Sequence, residues 1–469
     1  MRILLSLVLL IVFSANLKAQ NDLDNFWDLF KKNNYTEAIS ELENITLNDN
    51  TNQEAWLMLA ILFDNQQESY KAFQAFKNFY KLTDKKSEYL VAFWRTSAIY
   101  SSTLLERKER DAFFEEILND PIVDGAIKSN IHGTRGSWAF NVGDFDGHLS
   151  QLSKIQNLTK WQVVGEFENI SASGFDKNYS PINQPKSTAR FTNKEEAEIY
   201  WFNSDVFRVG EWIRPGYHFD TDNSIIFAQT FITSEIDQDV QLRIGTSGSL
   251  KAWVNDQLVL SEIEEYDNYA DTYRTKVSLK KGVNRLLVQI GCSELPGQNF
   301  MVRITGDDGI PLNNFTHSNT YADYPSVGGE NLDRIELPAE IYFEELSNKN
   351  PDNLLYHILL SRVYLDNGKT NQAQRVLKKA ENLAPDNSLI LVELLELYID
   401  QGNETELGAT TEKIKTVDPE NKLSLLLQFN EAVSNENYDD AEDLLARLKV
   451  ALDNNATYLE KKISLESAR

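Results

Sequence analysis

The stretch YWFNSDVFRVGEWIRPGYHFDTDN carries Trp201, Trp212 and Tyr217 in irregular sequence rich in turn residues. Aromatic rings on loops offer flat, apolar faces against which a sugar ring can stack, so these three are candidates for glycan stacking, with core packing as the competing reading. Just beyond them, Asp220, Asp222 and Asn223 supply hard oxygens of the kind that hold Ca²⁺, but they lack EF-hand spacing, and a solvated loop explains them as well. The single cysteine, Cys292, follows a strand-like run in VQIGCSEL and has no intrachain disulfide partner; an inert, buried thiol is expected. His132, His148, His218, His317 and His357 are scattered without metal-ligand spacing. The GxSxG, HExxH and GxxxxGK[ST] patterns are missing too. A glycosidase-type carboxylate pair could be drawn from 71 acidic residues, but spacing does not locate one. The expectation is a binding protein that is not an enzyme, with no cofactor and no metal.

The elements that position these residues change character along the chain. From Trp161 to Ile304 the sequence is rich in β-branched and aromatic residues, broken by Gly, Pro, Asn and Asp, which predicts short strands packed as a β-sandwich. GSLKAWVNDQLVLS reads as a hairpin: Leu250, Ala252 and Val254 alternate with polar residues, and Leu258 and Leu260 return. Asn255 and Asp256 tolerate the positive φ of a two-residue turn. Trp253 lies on the face opposite Val254 and is either a core anchor or an exposed platform.

Residues before and after this block have helical periodicity. Pro351-Asp-Asn, Pro385-Asp-Asn, Pro419-Glu-Asn and Asp453-Asn-Asn recur every 34 residues, the length of a helix-turn-helix repeat. The N-terminal 19 residues have Arg2, an apolar run from Ile3 to Phe13, and Ala19 before Gln20. That is the layout of a cleavable secretory signal, too short to span a bilayer. Export to the periplasm or extracellular space is expected, with no integral membrane span in the mature chain. The net charge is −25, and −27 once Arg2 and Lys18 leave with the signal. Such a chain repels nucleic acid, which requires Lys and Arg to displace counterions.

The repeats resemble the tetratricopeptide family. Leu360, Tyr364, Ala373, Leu377, Ala380 and Pro385 fill its packing positions, as do Trp56, Leu59, Ala60, Phe63, Ala72 and Phe76 near the N-terminus. Ala38 and Leu42 do so one period earlier. Ala441 and Leu445 repeat the pattern, whereas Leu407 stands where a small residue is expected. The resemblance places Arg362, Glu396 and Asn430 in one row, and Asp366 and Asp400 in a second, along a concave peptide-binding groove. The same face also carries Leu355, Leu389 and Leu423, so packing against the sandwich or a partner domain is the alternative.

The strand block resembles jelly-roll, galactose-binding-like domains, on Trp-Val-Asn-Asp and the later Lys-Gly-Val-Asn-Arg-Leu-Leu-Val. The order of repeats, strand block and repeats is similar to the N-terminal half of large secreted bacterial transglutaminase-like proteins, which implies a short paralogue or a truncated product. No counterpart of that domain's catalytic residues is present, so no activity carries over. The expected organisation is multidomain α + β: signal 1–19, helical repeats 20–158, β-sandwich 159–306, linker 307–337 and tetratricopeptide-type repeats 338–469. The expected function is a secreted protein–protein interaction scaffold with a protein or peptide partner. The alternatives are a carbohydrate-binding accessory protein that takes a glycan on the sandwich, and an enzyme with an unrecognised acidic site.

Overall fold

Asparagine at the end of each Pro-Asp/Glu-Asn motif starts a helix. Asn387 and Asn421 accept from the amides of Ile390 and Ser424 at 3.2 Å each, and Asn353 from Leu355 at 3.0 Å, which satisfies donors that a helix N-terminus leaves orphaned. In the computed structural model, residues 23–100, 104–204, 212–293, 295, 297–452 and 456–468 are described. The expected signal lies outside them. The helices are α1 (23–31), α2 (Tyr35–Asn48), α3 (Gln53–Asn65), α4 (Ser69–Leu82), α5 (Lys86–Ala92), α6 (Leu104–Asn119), α7 (Gly125–Asn141) and α8 (Phe145–Leu152), then α9 (Pro338–Lys349), α10 (Leu354–Asp366), α11 (Thr370–Leu383), α12 (Ser388–Asp400), α13 (Glu404–Val417), α14 (Lys422–Ser434), α15 (Tyr438–Ala451) and α16 (Ala456–Ala468). First helices therefore begin at Leu354, Ser388, Lys422 and Ala456, the spacing read from the sequence. Among the described residues no helix is long and apolar enough to cross a membrane.

The protein is multidomain α + β, with helices flanking the sheet in sequence. Its chain forms two compact units. One gathers residues up to Phe113 with Tyr342–Leu365 and Thr370–Arg469; the other is Phe114–Ile341 with Asp366–Lys369. Helices from both ends of the chain thus share one unit, and α7 and α8 belong with the strands.

In the helical unit, small residues let paired helices approach. α11 buries Ala373, Val376, Leu377 and Ala380. α13, with Leu407 where a small residue was expected, buries only Thr410 and Ile414. The N-terminal helices dock on the first helices of the C-terminal repeats. Asn387 Nδ2 donates to the Phe30 carbonyl at 2.7 Å, Asn33 Nδ2 to the Asp386 carbonyl at 2.7 Å, and the Leu389 amide to the Tyr35 hydroxyl at 3.0 Å. Arg362 reaches Asp64 at 3.3 Å, and Arg95 reaches Asp400 at 2.8 Å.

The other unit is built on an antiparallel sheet: β1 (Trp161–Glu168), β2 (Phe191–Thr192), β3 (Glu198–Ile199), β4 (Phe202–Ser204), β5 (Ser224–Ser234), β6 (Gln238–Val254), β7 (Gln257–Asp267), β8 (Tyr273–Leu279), β9 (Gly282–Cys292), β10 (Asn299–Thr305) and β11 (Phe315–Ser318). β2 and β3 pair separately. The 17-residue β6 is shared between layers, pairing with β8 and β10 along its first half and with β7 and β9 along its second. It changes partners at Gly248, whose φ is +122° and where a Cβ would sit 2.4 Å from the Gly291 carbonyl, so glycine is required. Leu250, Ala252 and Val254 face the inner core with Val163, Ala228 and Val288. Trp253 faces the other way, 7% exposed, and packs with Phe167, Phe227 and Leu287. It is a core anchor. The turn is as expected, with Asn255 at φ 52° and Asp256 at φ 65°.

Candidate functional site: a cationic cleft beside the sandwich

Helix α7 carries Lys128, His132 and Arg135 at steps of four and three residues, which places them on one face. Its N-terminus is held by a buried charge cluster. Asp124 accepts from the Ala126 amide at 2.8 Å, from Arg243 Nη1 at 2.8 Å and from Arg274 Nη1 at 3.4 Å. Asp271 pairs with Arg303 and lies 3.6 Å from Arg243. Burial opposes ionisation of Asp124, but Arg274, Arg243 and the amide outweigh it and hold its carboxyl below the usual range. Three arginines thus face two aspartates. Gln241 and the carbonyls of Asp307, Asp271, Ile155 and Gly309 accept further N–H groups of these arginines, so the cluster is satisfied from within.

The edge of the cluster opens into a cleft of about 280 Å³, lined by Lys128, His132, Arg135, Lys154, Arg303 and Glu115. Ile310 and Pro311 form its apolar rim. Gly309 shapes this rim: its φ is +75°, and a Cβ there would lie 2.4 Å from Arg243 Nη1. Its carbonyl accepts from Arg303 Nη2 at 3.1 Å, while Arg303 Nε donates to the Ile155 carbonyl at 3.1 Å. Arg135, 8% exposed, pairs with Glu115 at 2.5 Å. Lys128 is half-buried and Lys154 exposed. Among the described residues neither lysine has a carboxylate within ion-pair distance. His132 Nδ1 lies 3.0 Å from Gln151 Oε1; burial, then Lys154 and Arg135, hold its ring below the ordinary histidine range against that bond. The cleft is therefore a net-positive recess in a chain of net charge −25.

The residues expected to line a peptide groove do not form one. Arg362 donates to Glu393 at 2.5 and 3.0 Å and to Asp64 at 3.3 Å, so it is an internal tie between N- and C-terminal helices. Asp366 is buried, and Asp400 is engaged by Arg95. Glu396 and Asn430 remain exposed. Leu355 and Leu389 are 4% and 0% exposed; this face is covered by N-terminal helices of the same unit, where the sandwich or a partner domain was the expected alternative. Trp201 also needs correction as a stacking residue: it is 2% exposed, sits in the outer-face core, and spends its indole N–H on the Gln184 carbonyl at 2.8 Å. Trp212 is partly buried, packed near Gly245. Tyr217 is 59% exposed. These three aromatics are not brought to one surface.

Asp222 and Asn223 are exposed, and the Asp222 carbonyl accepts from Lys194 Nζ at 3.0 Å; among the described residues no group of three metal-ligating side chains converges. Cys292 is 1% exposed, with its thiol pushed up to about 11 by burial and then by Glu265. His218 meets Ser204 at 2.7 Å, but that hydroxyl is on a residue 3% exposed. The cleft was not singled out from the sequence. The available signal was Lys128, His132 and Arg135 on one helical face of an acidic chain; Lys154 and Arg303 are brought in only by folding.

No family model and no curated protein matches this chain. Among solved structures, a selenomethionine-labelled β-glucosidase from Kluyveromyces marxianus aligns over 32% of this chain and 16% of its own length, at 14% identity and TM-score 0.21. The same enzyme in complex with glucose aligns over 22% and 14%, at 18% identity and TM-score 0.18. An anti-sigma factor domain-containing protein from Clostridium clariflavum aligns over 36% and 49%, at 11% identity and TM-score 0.21. Scores this low do not establish a shared fold.

Proposed function

We propose that this chain is an exported, non-enzymatic binding scaffold of the periplasm or cell surface, with the cleft beside the sandwich as its ligand site. The observation that supports it is the cleft itself, an open recess lined by side chains from α6, α7, β10 and two loops, with polar groups converging at an apolar rim as in small-molecule sites. On this reading the helices are tetratricopeptide-type units closed on themselves, and the sandwich is a jelly-roll, galactose-binding-like module that does the recognition. A glycan or a small metabolite is the ligand class that suits the volume. The test is a thermal-shift and calorimetric screen of the full chain against neutral and acidic sugars and small organic acids. A saturable rise in melting temperature without product formation supports the reading. Turnover of a bound ligand, or no response to any ligand class, rejects it. Export is tested separately by mass spectrometry of envelope protein, with a chain beginning near Gln20 expected and an intact Met1 counting against it.

A protein partner is the second reading, favoured by the α7–α8 hairpin. Phe140, Val142, Phe145 and Leu149 are 48 to 62% exposed there, with Phe140 and Phe145 in edge contact at 5.6 Å. An apolar cluster of this kind on a soluble surface marks an interaction site more often than isolated residues do. Phe145→Asp should reduce capture of partners from envelope extract, and unchanged capture would remove this reading.

A further inference from the structure

The geometry points to a small anion, carrying a carboxylate or phosphate group, as the ligand of the cleft between α7 and the 306–311 loop. This inference rests on the cleft being a binding site, and it specifies what the site takes. Four cationic side chains, Lys128, Arg135, Lys154 and Arg303, line the cleft against one carboxylate, Glu115. Two of the four are committed. Arg303 is held by Asp271 and by the Ile155 and Gly309 carbonyls, and Arg135 is held by Glu115. Both are neutralised by their carboxylate partners and give the cleft a fixed wall. The other two are available, because neither Lys128 nor Lys154 has a carboxylate partner among the described residues. An anion that reaches a lysine lacking a carboxylate partner gains charge-assisted hydrogen bonds.

Size and charge limit the ligand further. About 280 Å³ lies at the lower end of small-molecule sites. That suits a single sugar acid, a dicarboxylate or a phosphate. The chain as a whole, at net charge −25, repels anions in general, so an anion that binds does so at a local reversal of that field.

His132 offers a signature that a neutral ligand would not produce. Gln151, Lys154, Arg135 and Glu115 surround its ring, and burial together with the two cations keeps it deprotonated near neutral pH. An anion placed against Lys154 offsets that repulsion. Binding should then draw a proton onto His132, so affinity should rise as the solution is made more acidic.

The test is isothermal titration of the full chain with inorganic phosphate, succinate, galacturonate and neutral galactose, at low and at 0.5 M salt, with the wild type and Lys128→Ala/Lys154→Ala. Both lysines lack internal ion pairs, so the double variant should fold, which circular dichroism and its melting temperature check. We expect phosphate or a carboxylate ligand to bind, galactose not to bind, and the double variant to lose about tenfold per lysine. High salt should weaken the wild type. Which anion binds more tightly separates a phosphate ligand from an organic acid. If galactose binds as well as galacturonate and the double variant is unaffected, the anion inference fails while the binding-scaffold reading stands. If none of the four binds, the anion inference fails outright; the broader screen above then decides whether the binding reading fails as well. Lys128→Arg, which keeps the charge, should retain most of the affinity if charge is what counts.

Discussion

A buried charge cluster in the helical unit and one in the sandwich unit have opposite imbalance. In the helical unit Arg362, with Arg95 near Glu396, faces Asp64, Glu393 and Glu396. In the sandwich unit Arg243, Arg274 and Arg303 face Asp124 and Asp271. The surplus sign shows up in what titrates. The Glu396 carboxyl is pushed up to about 8, first by desolvation and then by Glu393, with Arg362 pulling against them. The Asp124 carboxyl is pulled down. The surplus also decides what each cluster is good for. One locks two sets of helices together; the other contributes Arg303 to the wall of a cleft.

The largest expected effect is on the sandwich side. Asp124→Ala removes the cap of α7 and leaves Arg243 and Arg274 with less counter-charge, so a loss of about 3–5 kcal/mol is expected from urea unfolding followed by tryptophan fluorescence. A loss below ~1 kcal/mol would mean the cluster does not anchor α7. The same carboxyl predicts an acid limit. Its folded pKa lies below the unfolded value of ~3.9, so the stability it contributes is complete above about pH 4 and is lost as pH falls through the folded value. Wild type should therefore lose stability below pH 4 more steeply than Asp124→Asn does.

On the helical side, Arg362→Ala leaves Glu393, 2% exposed, beside Asp64 without a cation. A loss of about 3 kcal/mol is expected, where an exposed groove arginine would cost less than ~0.5 kcal/mol. Chemical denaturation distinguishes the two. The smallest effect belongs to Glu396→Gln. Glu396 is exposed by surface area even though its carboxyl is shifted as if desolvated; water at that surface limits the energy, so under about 1 kcal/mol is expected. The direction is fixed by linkage. A folded pKa raised to about 8 means stability is complete below the unfolded ~4.3 and falls as pH rises to about 8. Melting temperatures of Glu396→Gln should therefore fall less than those of wild type between pH 5 and 8, and parallel curves would show that Glu396 is not strained by its neighbours.

Much of the fold was legible because it is written in local rules. The Pro-Asp/Glu-Asn motifs announced helix starts at Ser388 and Lys422, since a side-chain amide cap acts within three residues. Leu250, Ala252, Val254 and the Asn255-Asp256 turn announced the hairpin, because alternation and positive φ are properties of neighbours. The row of Arg362, Glu396 and Asn430 was legible as a register. Its occupant was not, because Asp64 lies nearly 300 residues from Arg362 and no periodicity links them.

The sequence by itself determined helix, strand and turn, and the change of period between the helical and β parts, because capping, alternation and 34-residue repetition depend on residues a few positions apart. Only the tertiary structure decided that Trp201 is core, that the face carrying Arg362 is closed by N-terminal helices, and that Lys128, Lys154 and Arg303 share one cleft. Each of these depends on which distant side chain supplies the buried surface or the counter-charge, and that is settled when the whole chain packs.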